Sequence, residues 1–133
     1  MGTRAIVAVK DELDNKIIEL YSQYDGYPDG LGRDLKEFVA SREMVNGIGA
    51  NRQVFNGIHC FAAQLISHFK DEAGGYYLYP PTKNYKNKGK YWDKYGAEYY
   101  YEIDSDLNVR CWDTYENKEI ILKGGKRCSE MQK

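Results

Sequence analysis

The sequence predicts an α+β domain: a mostly antiparallel sheet, built from an N-terminal hairpin and a C-terminal meander, with two helices packed on it. Three patterns carry this expectation. A short apolar run and an alternating segment open the chain, two helical apolar stripes follow, and strand-like segments return beyond residue 74. With 133 residues, no internal repeat and no dividing linker, residues 1–133 read as a single ligand-binding domain.

Ala5, Ile6, Val7, Ala8 and Val9 form a continuous apolar run suited to a buried strand. A polar turn over 11–15 leads into a second strand over 16–24. It has Ile18, Leu20, Ser22 and Tyr24 on one face and Ile17, Glu19, Tyr21 and Gln23 on the other. The segment 25–30, Asp-Gly-Tyr-Pro-Asp-Gly, demands a tight and specific turn. Leu31, Leu35, Phe38 and Val39 then lie on one helical stripe. A second, wider stripe holds Val54, Phe55, Ile58, Phe61, Ala62, Leu65, Ile66 and Phe69, with Asn51 and Asn56 as alternative caps. Gly57 inside that stripe would cost about 1 kcal/mol relative to Ala. Cys60, Ala63 and Ser67 fall opposite the stripe, where small residues would allow close approach of another element such as a second subunit. Strands are expected over 76–79, 98–103, 108–115 and 119–122, the middle pair forming a hairpin around 104–107.

Composition narrows the chemistry. Hydrophobic residues are 42% and charged residues 29%, which suits a folded domain rather than disorder. No apolar run approaches a membrane span, and no charged-then-apolar leader opens the chain, so neither a membrane nor a secretory route is expected. A formal net charge of −1 supplies no global field toward nucleic acid. Three widely spaced cysteines, Cys60, Cys111 and Cys128, argue against a disulfide framework or a structural zinc site. Signatures of nucleophilic, P-loop or zincin catalysis are absent. His59 and His68 would stand about 180° apart around one helix, so they cannot share a metal within one subunit. No catalytic residue, metal or cofactor is therefore expected.

The unusual number is 13 tyrosines beside 4 Phe and 2 Trp. Ten of them lie between Tyr76 and Tyr115. The segment 83–95 interleaves Lys83, Lys86, Lys88, Lys90 and Lys94 with Tyr85, Tyr91, Trp92 and Tyr95, a composition suited to phosphates and stacked bases. If the following hairpin turns on Ser105 and Asp106, Tyr101 lies opposite Arg110 and Tyr99 opposite Trp112. Those four side chains would then share one face, good for an adenine ring and a pyrophosphate. A one-residue slip would remove that grouping. The 26–32 turn, with Asp25 and Tyr27, offers helix N-terminal amides to a phosphate, or ribose contacts from the aspartates. Each feature also has a purely structural reading: a solvated loop, an edge cation–π cluster, a turn that needs its residues.

Gly2-Thr3-Arg4-Ala5 before the first strand, Tyr24-Asp25-Gly26-Tyr27-Pro28 after the second, Gly30 and Gly32 opening a helix, and the tyrosine-rich C-terminal half together resemble the phage-encoded anti-Thoeris sponge proteins of the first type. The resemblance covers nearly the whole chain in length and element order and is sharpest in the N-terminal third. It implies a protein of the infected bacterial cytoplasm that binds cyclic ADP-ribose isomers, above all glycocyclic ADP-ribose, made from NAD by a defence TIR-domain enzyme. It implies sequestration without cleavage, so that the NAD-depleting effector stays off. It also implies a homo-oligomer built from dimers, and in some members a separate site for cyclic oligonucleotides. Family pockets stack adenine on an aromatic ring and hold phosphates with arginines. By residue type, Arg110 with Tyr99, Tyr101 or Trp92 matches best, and Arg127 is a second candidate; Arg4, Asp25 and Tyr27 match by position. Different classes compatible with the same residues are a phosphodiesterase-like enzyme degrading a cyclic nucleotide, a single-stranded nucleic-acid binder, and a phage structural protein.

Overall fold

The computed structural model of the chain describes residues 2–47, 53–81 and 96–122. Strands β1 (Ala5–Lys10) and β2 (Lys16–Ser22) form the N-terminal hairpin. A single π-helical turn over Pro28–Gly32 runs into α1 (Arg33–Ala40), followed by β3 (Glu43–Val45), β4 (Val54–Asn56) and α2 (Gly57–Phe69). β5 (Tyr76–Tyr79), β6 (Tyr99–Ile103), β7 (Val109–Asp113) and β8 (Lys118–Ile120) complete the order. Six strands form one sheet in the order β5-β2-β1-β6-β7-β8, and β3 pairs with β4 in a separate ribbon. Within the large sheet β1 and β6 run parallel and every other pair is antiparallel, which is the α+β architecture expected.

β1 is the central strand, and all six of its residues are buried. Its continuous apolar character follows from coverage on both faces. On one face, Ala5, Val7, Val9, Leu20, Tyr101, Ile103 and Cys111 form the main core with the two helices. From the π turn and α1 come Leu31, Leu35, Phe38 and Val39, the stripe read from spacing. From α2 come Ile58, Phe61, Ala62 and Leu65. Phe38, Phe55 and Phe61 pack as a trio with ring centroids 4.9–5.7 Å apart. His68 stacks on Phe38 at 4.6 Å, while His59 is exposed.

Several expectations need correction. β2 ends at Ser22, two residues short of Tyr24. Val54 and Phe55 belong to β4, which pairs parallel with β3, and not to the second helix. Three-residue strands are too short to show a period, so helical spacing absorbed them. α2 begins at Gly57, whose φ of +83° suits glycine at the strand-to-helix corner. Asn56 precedes it, but its side chain accepts the Gly47 N–H at 3.0 Å and caps nothing.

The β6–β7 register also differs. The ladder pairs Tyr101 with Cys111, Glu102 with Arg110, Tyr100 with Trp112 and Tyr99 with Asp113. The expected oppositions of Tyr101 with Arg110 and Tyr99 with Trp112 are off by one residue. The cause is the turn: Ile103 pairs with Val109, so the loop has an odd number of residues, and buried Leu107 takes φ +64° within it. Asp104 Oδ1 accepts the Asp106 and Asn108 N–H groups at 3.0 Å each, which holds this turn.

Tyr101 ties the 25–32 turn to the sheet. It is fully buried, and its hydroxyl donates to the Gly26 carbonyl at 2.7 Å. Gly26 sits so close to β1 that a Cβ there would lie 2.6 Å from that of Ala5. Tyr101→Phe leaves the Gly26 carbonyl without this donor and should cost about 1–3 kcal/mol. Urea denaturation should show a lower midpoint at unchanged slope; an unchanged midpoint would remove Tyr101 as the anchor of the turn.

Candidate functional site

The pleat sends alternate residues of every strand to the side opposite the helices. Cross-strand registers place Tyr77, Tyr21, Ile6, Tyr100, Trp112 and Glu119 in one row across all six strands. Two residues along, Tyr79, Glu19, Ala8, Glu102 and Arg110 form the next row. The first row is aromatic and the second is largely charged. Ile6, Ala8, Ala97, Tyr100 and Trp112 are buried as a second, smaller core, with Tyr21 packed at its edge.

Buried charges stitch the centre of this outer face. Lys10 Nζ lies 2.5 Å from Asp14 and 2.8 Å from Glu102. The Tyr100 hydroxyl bonds Glu102 Oε2 at 3.2 Å. Lys16 lies 3.9 Å from Glu19, and its Nζ is 5.3 Å from the Tyr100 ring centroid. Burial lowers the Lys10 pKa, but bonds to Asp14 and Glu102 outweigh it and the net shift is upward. Burial dominates at Lys16 and pulls its pKa down to about 8, against the opposing pull of Glu19 and Glu102. In the main core, burial pushes the Cys111 thiol up to about 12, which leaves it unreactive.

Two corners of the outer face carry an arginine. At the β7–β8 corner, Arg110 forms a bidentate pair with Glu119, Nε to Oε2 at 3.0 Å and Nη2 to Oε1 at 2.7 Å. Its guanidinium lies 4.8 Å from the Trp112 ring centroid. That bond to Glu119 raises the Arg110 pKa against a smaller loss from desolvation. At the β5–β2–β1 corner, the exposed Arg4 guanidinium acts on the Tyr21 hydroxyl. Tyr21 packs on Tyr77 at 6.1 Å and edge-on against Tyr79 at 5.9 Å. Burial raises the Tyr21 pKa, while Arg4 pulls it the other way.

The expected site residues are thus divided. Arg4 and Arg110 share the outer face. Tyr101 is inside the main core, and half-buried Tyr99 lies on the helix side, across from Asp113. Trp92 and Arg127 lie outside the described residues, as does the lysine-tyrosine segment 83–95. Asp25 and Tyr27 are exposed on the 25–32 turn, but four amides of that turn are already used. Gly26 N–H donates to Thr3, Leu31 to Asp25, and Gly30 and Gly32 to Tyr27. Asp25 instead lines a shallow cavity of about 210 Å³ with Asp34, Asp71 and Glu72, the wrong charge for a phosphate. A larger groove of about 560 Å³ is lined by Arg42 and His68 beside Asp34 and Glu37, so its carboxylates oppose a phosphate. Tyr21, Tyr77, Tyr79 and Tyr100 were missed as site residues. Only the Tyr21 alternation in β2 could have placed one of them on the outer face.

Among the described residues, no group of three or more His, Cys, Asp or Glu is placed to hold a metal ion, and no helix is long and apolar enough to cross a membrane. Comparison with protein-family models, curated proteins and solved structures finds no match.

The Lys16 shift has a measurable consequence. Between its folded value of about 8 and the ordinary lysine value of 10.5, the unfolded chain holds a proton that the folded chain lacks, so the Lys16 contribution to stability rises with pH. Cys111 opposes this above about pH 9, because the folded state keeps the thiol proton. The comparison of wild type with Lys16→Met cancels the thiol term. The wild-type stability minus that of the variant should rise from pH 8 to 10.5 in denaturant titrations; a flat difference would show that Lys16 is ionised normally.

Proposed function

We propose that this chain binds and sequesters a cyclic ADP-ribose-type signalling nucleotide, glycocyclic ADP-ribose, without cleaving it. In that role it acts in the cytoplasm of an infected bacterium, as a homo-oligomer built from dimers, and blocks the signal that a TIR-domain defence enzyme makes. The observation that carries the reading is the outer sheet face, where a row of tyrosines and a tryptophan spans the sheet beside cationic side chains. Aromatic faces stack a purine, at roughly 1–3 kcal/mol per base, and a guanidinium matches a phosphate with a planar fork. The resemblance of the Gly2-Thr3-Arg4-Ala5 and Tyr24-Asp25-Gly26-Tyr27-Pro28 segments supports the same ligand class.

Sequestration needs tight binding and more protein than signal, and no bond need break. The test is incubation of the protein with glycocyclic ADP-ribose, removal of unbound ligand, heat denaturation and mass spectrometry of what is released. Intact ligand in stoichiometric amount is the expected outcome. A linearised product would instead mark a phosphodiesterase-like enzyme, and no retained ligand would discard the nucleotide reading.

A further inference from the structure

The two arginine corners of the outer face are not equivalent. Arg110 is committed through two donors to Glu119, and the carboxylates of Glu102 and Asp104 also act on it. An incoming phosphate there would have to displace a bidentate carboxylate and approach further acids. The opposite corner has a different balance. Glu98 meets Arg4 through the main-chain N–H, at 3.3 Å from Oε2, and the guanidinium is set against the Tyr21 hydroxyl. Gly96 makes room for it: a Cβ at that position would lie 2.7 Å from Arg4 Nη1. Tyr77, at the edge strand β5, keeps 41% of its surface exposed. Tyr21 braces it at a 45° tilt, and Tyr79 braces Tyr21 in turn at 72°. Lys70 Nζ lies 5.5 Å from the Tyr77 ring centroid, fixed there by the Gly74 and Tyr76 carbonyls at 2.8 Å each.

We propose that the base-and-phosphate subsite for a purine nucleotide is the Arg4–Tyr21–Tyr77–Tyr79 corner, and not the Arg110–Trp112 corner. The assignment rests on the nucleotide reading above and names its location. Tyr77 supplies the stacking surface, because it is the exposed ring of the tyrosine cluster and its neighbours fix its angle. Arg4 supplies the planar donor fork for a phosphate oxygen. Tyr21 is a positioning residue, whose ring supports Tyr77 at 6.1 Å and whose hydroxyl end lies towards Arg4, which itself packs close against Gly96. Lys70 adds positive charge beside the base-stacking ring.

Calorimetric titration of the full chain with glycocyclic ADP-ribose separates the possibilities. Arg4→Gln and Tyr77→Ala should each weaken binding by about tenfold or more, the scale of one stacked base or one charged contact. Tyr21→Phe keeps the ring and should weaken binding less than Arg4→Gln. Arg4→Lys should recover only part of the loss, since an ammonium lacks the fork. The thermal midpoint of Arg4→Gln should stay at the wild-type value, as that side chain is exposed, while Tyr77→Ala gives up its packing on Tyr21 and should lower the midpoint by a few degrees without preventing folding. If folded Arg4→Gln and Tyr77→Ala bind within about twofold of wild type, the subsite is wrong; loss on Arg110→Gln would then place it at the other corner and leave sequestration standing. No binding by the wild type would overturn both readings.

Discussion

The structure depends on the burial of β1 from both sides. Ala5–Lys10 is flanked by β2 and β6 and has no exposed residue, so neither face of the sheet can be left to water along its centre. The parallel pairing with β6 has a second consequence. A parallel partner cannot follow through a tight turn, so the chain leaves β2, crosses through both helices and β5, and only later returns. The two helices cover the side that carries Val7, Val9 and Tyr101. On the outer side, the described covering comes from the sheet's own large side chains, Tyr100, Trp112 and Tyr21, around Ile6, Ala8 and Ala97.

Much of this was legible in the order of residues. The apolar run of β1, the alternation in β2 and the stripes through Leu35, Phe38, Ile58, Phe61 and Leu65 each follow from one local period, and each element is where its period puts it. The faces of the C-terminal hairpin were not legible. Tyr99, Tyr100 and Tyr101 are three identical residues in sequence, so alternation gives no sign of which ring faces the helices. The choice is made by an odd loop with Leu107 at positive φ, a conformation that residue type does not announce. The candidate site was half legible for the same reason. Arg4 and Arg110 could be named as cations, but the rings beside them depend on strand pairing: Tyr21 with Tyr77 between strands far apart in the chain, and Tyr100 with Trp112 on the register of the hairpin.

The charged row beneath the aromatic one limits what the outer face can accept. Glu19, Glu102, Lys10 and Lys16 are enclosed near its middle, where desolvation is costly and only mutual pairing makes the charges tolerable. Such a cluster adds little net stability, but it makes a centrally placed ligand pay twice, by breaking pairs and by exposing buried carboxylates. A ligand on this face would therefore be pushed outward, to the two ends of the aromatic row.

This also explains why the excess aromatic residue is tyrosine and not phenylalanine. Rings packed next to polar groups on either side of the sheet need a polar end. Tyr101 donates its hydroxyl to the Gly26 carbonyl and Tyr100 to Glu102, while the Tyr76 and Tyr21 hydroxyls face Ser22 and Arg4. Phenylalanine at those positions would supply the same buried area and leave each partner without its contact. The Tyr101 and Tyr100 hydroxyls bond neighbours that hold the fold together. At Tyr21 the partner is an exposed guanidinium, and there the same device that packs the sheet also aims a cation at solvent.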